Sequence, residues 1–343
     1  MPTTPVPRGA YSYYVIVLCL LLKLSVSSSF QIGPLLSTCV DACDRGCTEI
    51  RKVQAARETN HLLKVELKDA QDPRSALTEA DEAAHRAIVG SLREAWGDEL
   101  RIVGEEDDDE DLANTLAEMT FEPPLDRDLF VDEIGETADI DASKITIFVD
   151  PLDGTREFVE GRLENCQVLV GIAIDGEAVA GAVGIPFLDG TMDNESTVIY
   201  GIDGMGTGVK GATLTRGPYP LDKHIDGVKY PRPHHATGDS TAEVMDACRQ
   251  RTIKRFGGST VIYGGAGNKI LAAALGEVSC SIQHKVGGPV SFASAKFDSC
   301  PWFDHIFLVA EFILSYSVPH QMYDLTYLFN IHSANLKWDL VST

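Results

Sequence analysis

Val149-Asp150-Pro151-Leu152-Asp153-Gly154-Thr155-Arg156-Glu157-Phe158 is the stretch on which the reading of this chain turns. Just before it, Lys144-Ile145-Thr146-Ile147-Phe148-Val149 is β-branched and aromatic, the composition of a buried strand. The strand is expected to end on Asp150, because Pro151 has no N–H for another ladder bond and Gly154 permits a tight turn. Asp150 and Asp153 then project from one strand end into the same small volume. Carboxylates packed so closely repel unless a cation neutralises them. Hard oxygen ligands on a rigid turn suit Mg²⁺. A bare Asp-Pro-x-Asp would also serve as a solvated turn, so the longer string has to carry the argument.

At 343 residues, with 44% hydrophobic content, the chain can hold two modest domains or one large α/β unit. A net charge of −22 argues against a nucleic-acid polymer or an anionic membrane as partner. An anionic small molecule would need local attraction, from metal and a few bases. Much of the acidity sits in one run from Glu105 to Asp111. Residues 1–29 form a separate unit: Arg8, an apolar run from Tyr13 to Leu22, then Lys23 and the small residues Ser25 to Ser29. This pattern is that of a signal peptide or signal anchor and points to the secretory pathway. Membrane contact follows only if the segment is retained as an anchor. Ser27-Ser28-Ser29-Phe30 also fits the cleavage region of a plastid leader, which keeps delivery to a plastid or another organelle open. Cys39, Cys43 and Cys47 recur every fourth residue on one helix face and read as small buried hydrophobes. Asn194-Glu195-Ser196 is a lone glycosylation sequon.

Helical spacing predicts a helix from Leu35 to about Arg57, and Leu62 to Leu67 follows as a strand. Thr78-Glu79-Ala80-Asp81 has the form of a capped helix start, running through Glu94. Leu100 to Val103 is a short strand closed by Gly104-Glu105-Glu106. Residues 107–143 lack periodicity and read as a long insertion. Cys166 to Asp175 and Ala178 to Pro186 are strands around an Asp175-Gly176 hairpin turn. Thr197 to Tyr200 is another strand, followed by a glycine-rich turn through Gly211. Pro218 to Tyr230 reads as a linker. Thr260 to Tyr263 is a strand, Gly264 to Lys269 a turn, and Ile270 to Leu275 the start of a helix. Glycines at a helix N-terminus expose backbone donors suited to phosphate, and Lys269 adds a positive charge.

The string from Val149 to Phe158 resembles the metal motif of the inositol monophosphatase superfamily of Mg²⁺-dependent phosphatases. A basic residue, Glu and an aromatic after Asp-Gly-Thr is similar to its 3′(2′),5′-bisphosphate nucleotidases, as is Gly264-Gly265-Ala266-Gly267-Asn268-Lys269. The resemblance implies an α/β fold, with an α+β N-terminal half and an α/β C-terminal half in a layered αβαβα sandwich. It implies a metal-binding subdomain over 30–217 and a substrate-binding one over 218–289. It assigns two or three Mg²⁺ ions to Glu105, Asp150, the Leu152 carbonyl and Asp153, and catalytic roles to Asp81 and Thr155. Gly154, Gly265 and Lys269 inherit substrate contacts. His234, in Arg232-Pro233-His234, inherits a nucleotide contact, with His235 as the register alternative. The implied reaction converts adenosine 3′,5′-bisphosphate to AMP and phosphate.

The resemblance covers 35–289 and then breaks. The family's next element, Trp-Asp before a small-residue helix, is replaced by Val290-Ser291-Phe292-Ala293-Ser294-Ala295-Lys296. Asp304, and less so Asp339, are imperfect echoes of that last metal ligand. The tail 290–343 reads as a divergent terminus, for example translated intron sequence. Two other functions therefore stand beside the nucleotidase: an inositol phosphate phosphatase with the same metals, and a catalytically impaired nucleotide or metal binder.

Overall fold

The computed structural model describes residues 29–60, 65–67, 76–105, 120–130, 134–135, 137–203, 205–211, 234–239, 241, 243–275, 277–278 and 280–282. The leader-like segment up to residue 28, the linker over 218–230, and the tail with Asp304 and Asp339 lie outside these residues. Among the described residues no helix is long and apolar enough to cross a membrane.

The first described strand, β1 (Ser29–Phe30), leads into the long helix α1 (Ile32–Asn60). One stripe of α1, made of Leu35, Leu36, Cys39, Val40, Cys43, Cys47 and Ile50, is fully buried, as its spacing predicts. The three cysteines are free and pack as small hydrophobes. A short antiparallel pair, β2 (Val65–Leu67) and β3 (Ala76–Thr78), precedes α2 (Glu79–Trp96). Thr78 caps α2 in a reciprocal capping box with Asp81. Then come β4 (Arg101–Gly104), β5 (Ile140–Asp141), which pairs with β1, and β6 (Ile145–Asp153).

The strands β7 (Gln167–Ile174), β8 (Glu177–Ile185), β9 (Thr197–Ile202) and β10 (Gly206–Gly211) complete a six-stranded sheet. Its order is β10-β9-β8-β7-β6-β4, antiparallel except for the parallel β4–β6 pair. The expected hairpin turn is present: Asp175 and Gly176 both have positive φ, 53° and 86°. The glycine-rich stretch to Gly211 is not a turn but the edge strand β10. Gly208 lies against the Tyr200 ring, where a Cβ would clash.

Side chains alternate across this sheet. Val168, Val170 and Ile172 face the α1–α2 layer. Leu169, Val183, Ile185 and Ile199 face the other way and pack with Leu271. Leu271 belongs to α5 (Ala266–Ala274), whose Ala272 packs instead with Ala236 of a second, parallel sheet. That sheet has the order β12-β11-β13, from β11 (His234–Thr237), β12 (Ser259–Ile262) and β13 (Cys280–Ile282). A helix not read from the sequence, α4 (Glu243–Phe256), connects β11 to β12. The architecture is the layered α/β fold that the resemblance implies.

Residues 107–143 were expected to form an irregular insertion, yet the described part is packed. Leu125 and Phe130 are buried, and the Phe130 ring centroid lies 4.2 Å from that of Tyr200. Phe121 meets Gly90, Ile134 meets Gly33 and Phe130 meets Tyr200, contacts scattered over several elements that leave no period in the sequence.

Candidate active site

The central strand does not stop at Asp150, as Pro151 had suggested. It runs on to Asp153 through a register shift against β7: Asp150 pairs with Leu169 and Asp153 with Gln167. Three steps on β6 thus span two on β7, which is a bulge. Residues three apart in a regular strand point to opposite faces. The extra residue restores the phase, and Asp150 and Asp153 line the same cavity. Pro151 is tolerated because a bulge interrupts the ladder. Glu105, just beyond β4, reaches that cavity because β4 runs parallel to β6, its N–H bonding to the Val149 carbonyl at 3.0 Å.

Gly154 (φ 89°) turns the chain into α3 (Thr155–Val159). A Cβ there would lie 2.9 Å from the Asn165 carbonyl. The Thr155 hydroxyl has two acceptors in reach, Asp81 Oδ1 at 2.7 Å and the Leu152 carbonyl at 3.1 Å. The other oxygen of Asp81 accepts from the Thr78 N–H (2.8 Å) and hydroxyl (2.6 Å). Asp81 is therefore a buried, fixed carboxylate that orients Thr155 from behind, while Thr155 itself lines the cavity.

The opposite wall comes from the second sheet. Parallel strands β11 and β12 deliver Gly238, Asp239, Tyr263, Gly264 and Gly265 to the cavity from their C-terminal ends. Helix α5 starts at Ala266, earlier than expected, so Lys269 sits in its first turn. The Ala266 and Gly267 amides donate to the two oxygens of Asp153 at 3.1 and 2.9 Å. A helix N-terminus is thereby capped by a carboxylate of the other sheet. Burial pushes the Asp153 carboxyl up, against Lys269 and the two amides, and Glu105 pushes the same way. Burial also pulls the Lys269 ammonium down, opposed by Asp153, Glu157 and Asp239.

The cavity measures about 320 Å³, the size of a small-ligand pocket. Glu105, Asp150, Leu152, Asp153, Gly154, Thr155, Gly265 and Lys269 all line it. Their set of carboxylate and carbonyl oxygens suits a hard divalent cation. Among the described residues no three His, Cys, Asp or Glu side chains stand close enough to hold one ion as placed. Asp153 is turned toward α5, and Asp150 accepts from the Leu152 N–H at 3.2 Å.

His234 is not brought to the cavity. It begins β11, bonded to Ser259 Oγ at 2.9 Å, about 10 Å of strand from the pocket end. His235 is buried and bonds the Gly257 carbonyl. Strand direction is the reason: what reaches the cavity is Gly238-Asp239, just past β11.

Arg156, Glu157, Asp239, Tyr263 and Gly264 also line the cavity but were not assigned from sequence. Arg156 crosses its mouth to Asp239 at 2.9 Å. Glu157 is buried and held by Arg162 at 2.5 and 3.0 Å. A strand followed by Gly-Asp, leading into the helix of a parallel sheet, was the signal available for Asp239.

Acids at the end of a bulged strand facing a glycine loop at a helix start form an arrangement suited to a divalent cation and a phosphate group. Residues 34–301 match the inositol monophosphatase family model, and the chain belongs to that family. The match runs past Pro289, where the sequence resemblance was placed to end. The 3′(2′),5′-bisphosphate nucleotidase 1 of Dictyostelium discoideum is 31% identical over 246 residues, 68% of this chain and 73% of the relative. The human protein of the same name is 27% identical over 283 residues, 80% of each. A Golgi-resident adenosine 3′,5′-bisphosphate 3′-phosphatase from Mus musculus is 26% identical over 72% of this chain and 62% of its own. The solved structure of extragenic suppressor protein suhB from Bartonella henselae is 18% identical, covers 71% of this chain and 76% of that one, and has a TM-score of 0.48. The chain is a phosphoric monoester hydrolase, and enzymes of its family generally use divalent metal ions.

Proposed function

We propose that the chain removes the 3′-phosphate of adenosine 3′,5′-bisphosphate in a Mg²⁺-dependent reaction, giving AMP and phosphate. One observation carries this reading. The motif residues Asp150, Leu152, Asp153 and Thr155 share a cavity with the loop residues Gly265 and Lys269, in a chain whose relatives bear the nucleotidase name. Glu105, Asp150, Asp153 and the Leu152 carbonyl would hold two or three Mg²⁺ ions. When bound, the ions supply positive charge to the phosphoryl and leaving oxygens and acidify water.

The remaining work falls to the chain. Asp81, fixed by Thr78, accepts the Thr155 hydrogen and so turns a Thr155 lone pair toward the cavity. That lone pair orients the attacking water and receives its hydrogen bond, with Asp81 behind it as the proton acceptor. Gly154 and Gly265 let backbone approach the substrate closely, and Lys269 offers a cation to a phosphate. These local charges act against a net charge of −22. The two sheets support a division into a metal-binding part (30–217) and a substrate-binding part (218–289). The leader-like segment supports delivery into the secretory pathway, as does similarity to a Golgi-resident relative. A plastid remains the alternative destination.

The test is phosphate release from adenosine 3′,5′-bisphosphate and from inositol phosphates, with and without Mg²⁺. Mg²⁺-dependent release from the nucleotide, abolished by Asp150→Asn, supports the reading. Preference for inositol phosphates overturns the substrate assignment, and nucleotide binding without turnover would mark an impaired enzyme.

A further inference from the structure

Arg57 lies in the last turn of α1, outside the cavity lining. Its guanidinium donates through Nη1 to the Phe158 carbonyl at 2.7 Å and through Nη2 to the Val159 carbonyl at 2.9 Å. Its Cζ also stands 5.9 Å from the Phe158 ring centroid. Phe158 and Val159 close α3, the five-residue helix that opens with Thr155. So short a helix has little internal stability of its own; its Phe158 carbonyl accepts locally from the Gly161 N–H at 3.1 Å, and contacts with other elements must fix where the helix sits. Arg57 supplies two donors in a planar fork, and its charge also faces the negative end of α1 itself.

The other half of the catalytic pair is referred to the same helix. Asp81 sits in the first turn of α2, and α2 packs along α1 through Ala84, Ile88 and Leu92. We propose that Arg57 is a positioning residue for hydrolysis. It clamps the C-terminal end of α3 onto α1, so that Thr155 at the other end is held 2.7 Å from Asp81. This rests on the catalytic reading of Thr155 and Asp81 given above. Arg51, on the same helix, provides an internal comparison. It bonds the Pro186 and Met192 carbonyls at 2.7 and 2.9 Å in the same two-pronged way but makes no bond to an α3 carbonyl, reaching that helix only through the Phe187 ring stacked on Phe158.

The experiment compares Arg57→Met, Arg57→Lys and Arg51→Met in the full chain. It measures kcat and KM for phosphate release, and amide hydrogen exchange across residues 155–160. Arg57→Met should lower kcat by about 10- to 100-fold, the scale of a misplaced catalytic group, with KM changed by no more than about 3-fold. Exchange across 155–160 should rise. Arg57→Lys, which keeps one donor and the charge, should recover part of kcat and covers the case in which Arg57→Met does not fold. Arg51→Met should lose stability while keeping kcat. Wild-type exchange across 155–160 in Arg57→Met, or an equal fall of kcat in Arg51→Met, overturns the clamp. Wild-type kcat in Thr155→Ala would instead overturn the reading of the site on which the clamp depends.

Discussion

Gly265→Ala should be among the most damaging single-methyl changes in this protein. Gly265 has φ 69° and ψ 144°, a region that L side chains avoid at a cost of about 1–3 kcal/mol. A Cβ there would also lie 2.7 Å from Asp153 Oδ2 and 2.8 Å from the Asn165 carbonyl. Neither neighbour can retreat freely: Asp153 is held by two amides of α5, and the Asn165 oxygen is backbone. Overpacking of this kind costs about 1–3 kcal/mol more, for a total of about 2–6 kcal/mol. Two other glycines separate the terms. Gly176 has φ 86° with no atom within 4 Å of its Cβ position, so Gly176→Ala carries conformational strain alone, about 1–2 kcal/mol. Gly264 lacks a positive φ, but its Cβ would fall 2.1 Å from Glu157 Cδ, so Gly264→Ala carries steric cost alone, about 1–3 kcal/mol. Urea denaturation of the three variants gives the order directly. The reasoning fails if Gly265→Ala is no less stable than Gly176→Ala, since the close approach of α5 to Asp153 would then not be tight.

Asp81→Ala removes the capping partner of Thr78 and the acceptor of Thr155; it should cost about 1–2 kcal/mol in thermal denaturation and, more severely, phosphate release. Arg162→Met leaves the buried Glu157 carboxylate with a long bond from the Asn165 amide, at 3.4 Å, in place of the guanidinium fork, and should destabilise by about 1–3 kcal/mol in urea. By contrast, Asp239→Asn breaks an exposed ion pair to Arg156 and should change stability by less than about 1 kcal/mol; a larger loss would mean that this pair helps hold the two sheets together. Cys39, Cys43, Cys47 and Cys166 are buried, and burial raises the thiols of Cys39, Cys47 and Cys166. Iodoacetamide at pH 8 should leave all four unmodified in native protein and modify them in guanidinium, as read by peptide mass; rapid native labelling at Cys43 or Cys47 would contradict the packing of α1 on Gly184.

Much of this fold is legible because its signals are periodic or local. The buried stripe of α1 repeats at helical spacing, the Asp175-Gly176 turn is a two-residue signature, and Thr78 with Asp81 is a recognisable cap. The metal motif is contiguous, so Asp150, Asp153 and Thr155 could be assigned together. The obscure parts depend on partners far apart in sequence. Nothing near Phe130 announces that its ring will rest on Tyr200. Nothing near residue 208 shows that a glycine run is an edge strand beneath that same tyrosine ring. His234 lies outside the cavity for a related reason: it was carried over from a three-residue resemblance with no strand read there, and only the pairing of β11 with β12 shows which end meets the cavity. Glu157 was quoted as part of a motif, while its burial depends on Arg162 and on a glycine more than a hundred residues away.

The register shift between Asp150 and Asp153 also determines how this centre can change over evolution. Point substitutions can delete a carboxylate or exchange it, but they cannot move it to the other side of the sheet. Loss of a single residue from Pro151-Leu152 would not move it either: with the bulge gone, the acids would stand two apart in a regular strand and still share a face. What such a deletion removes is backbone, one of the two peptide units that stand between the acids at the cavity. The extra residue is neutral for the direction of the side chains and is instead a supply of main-chain oxygen beside them.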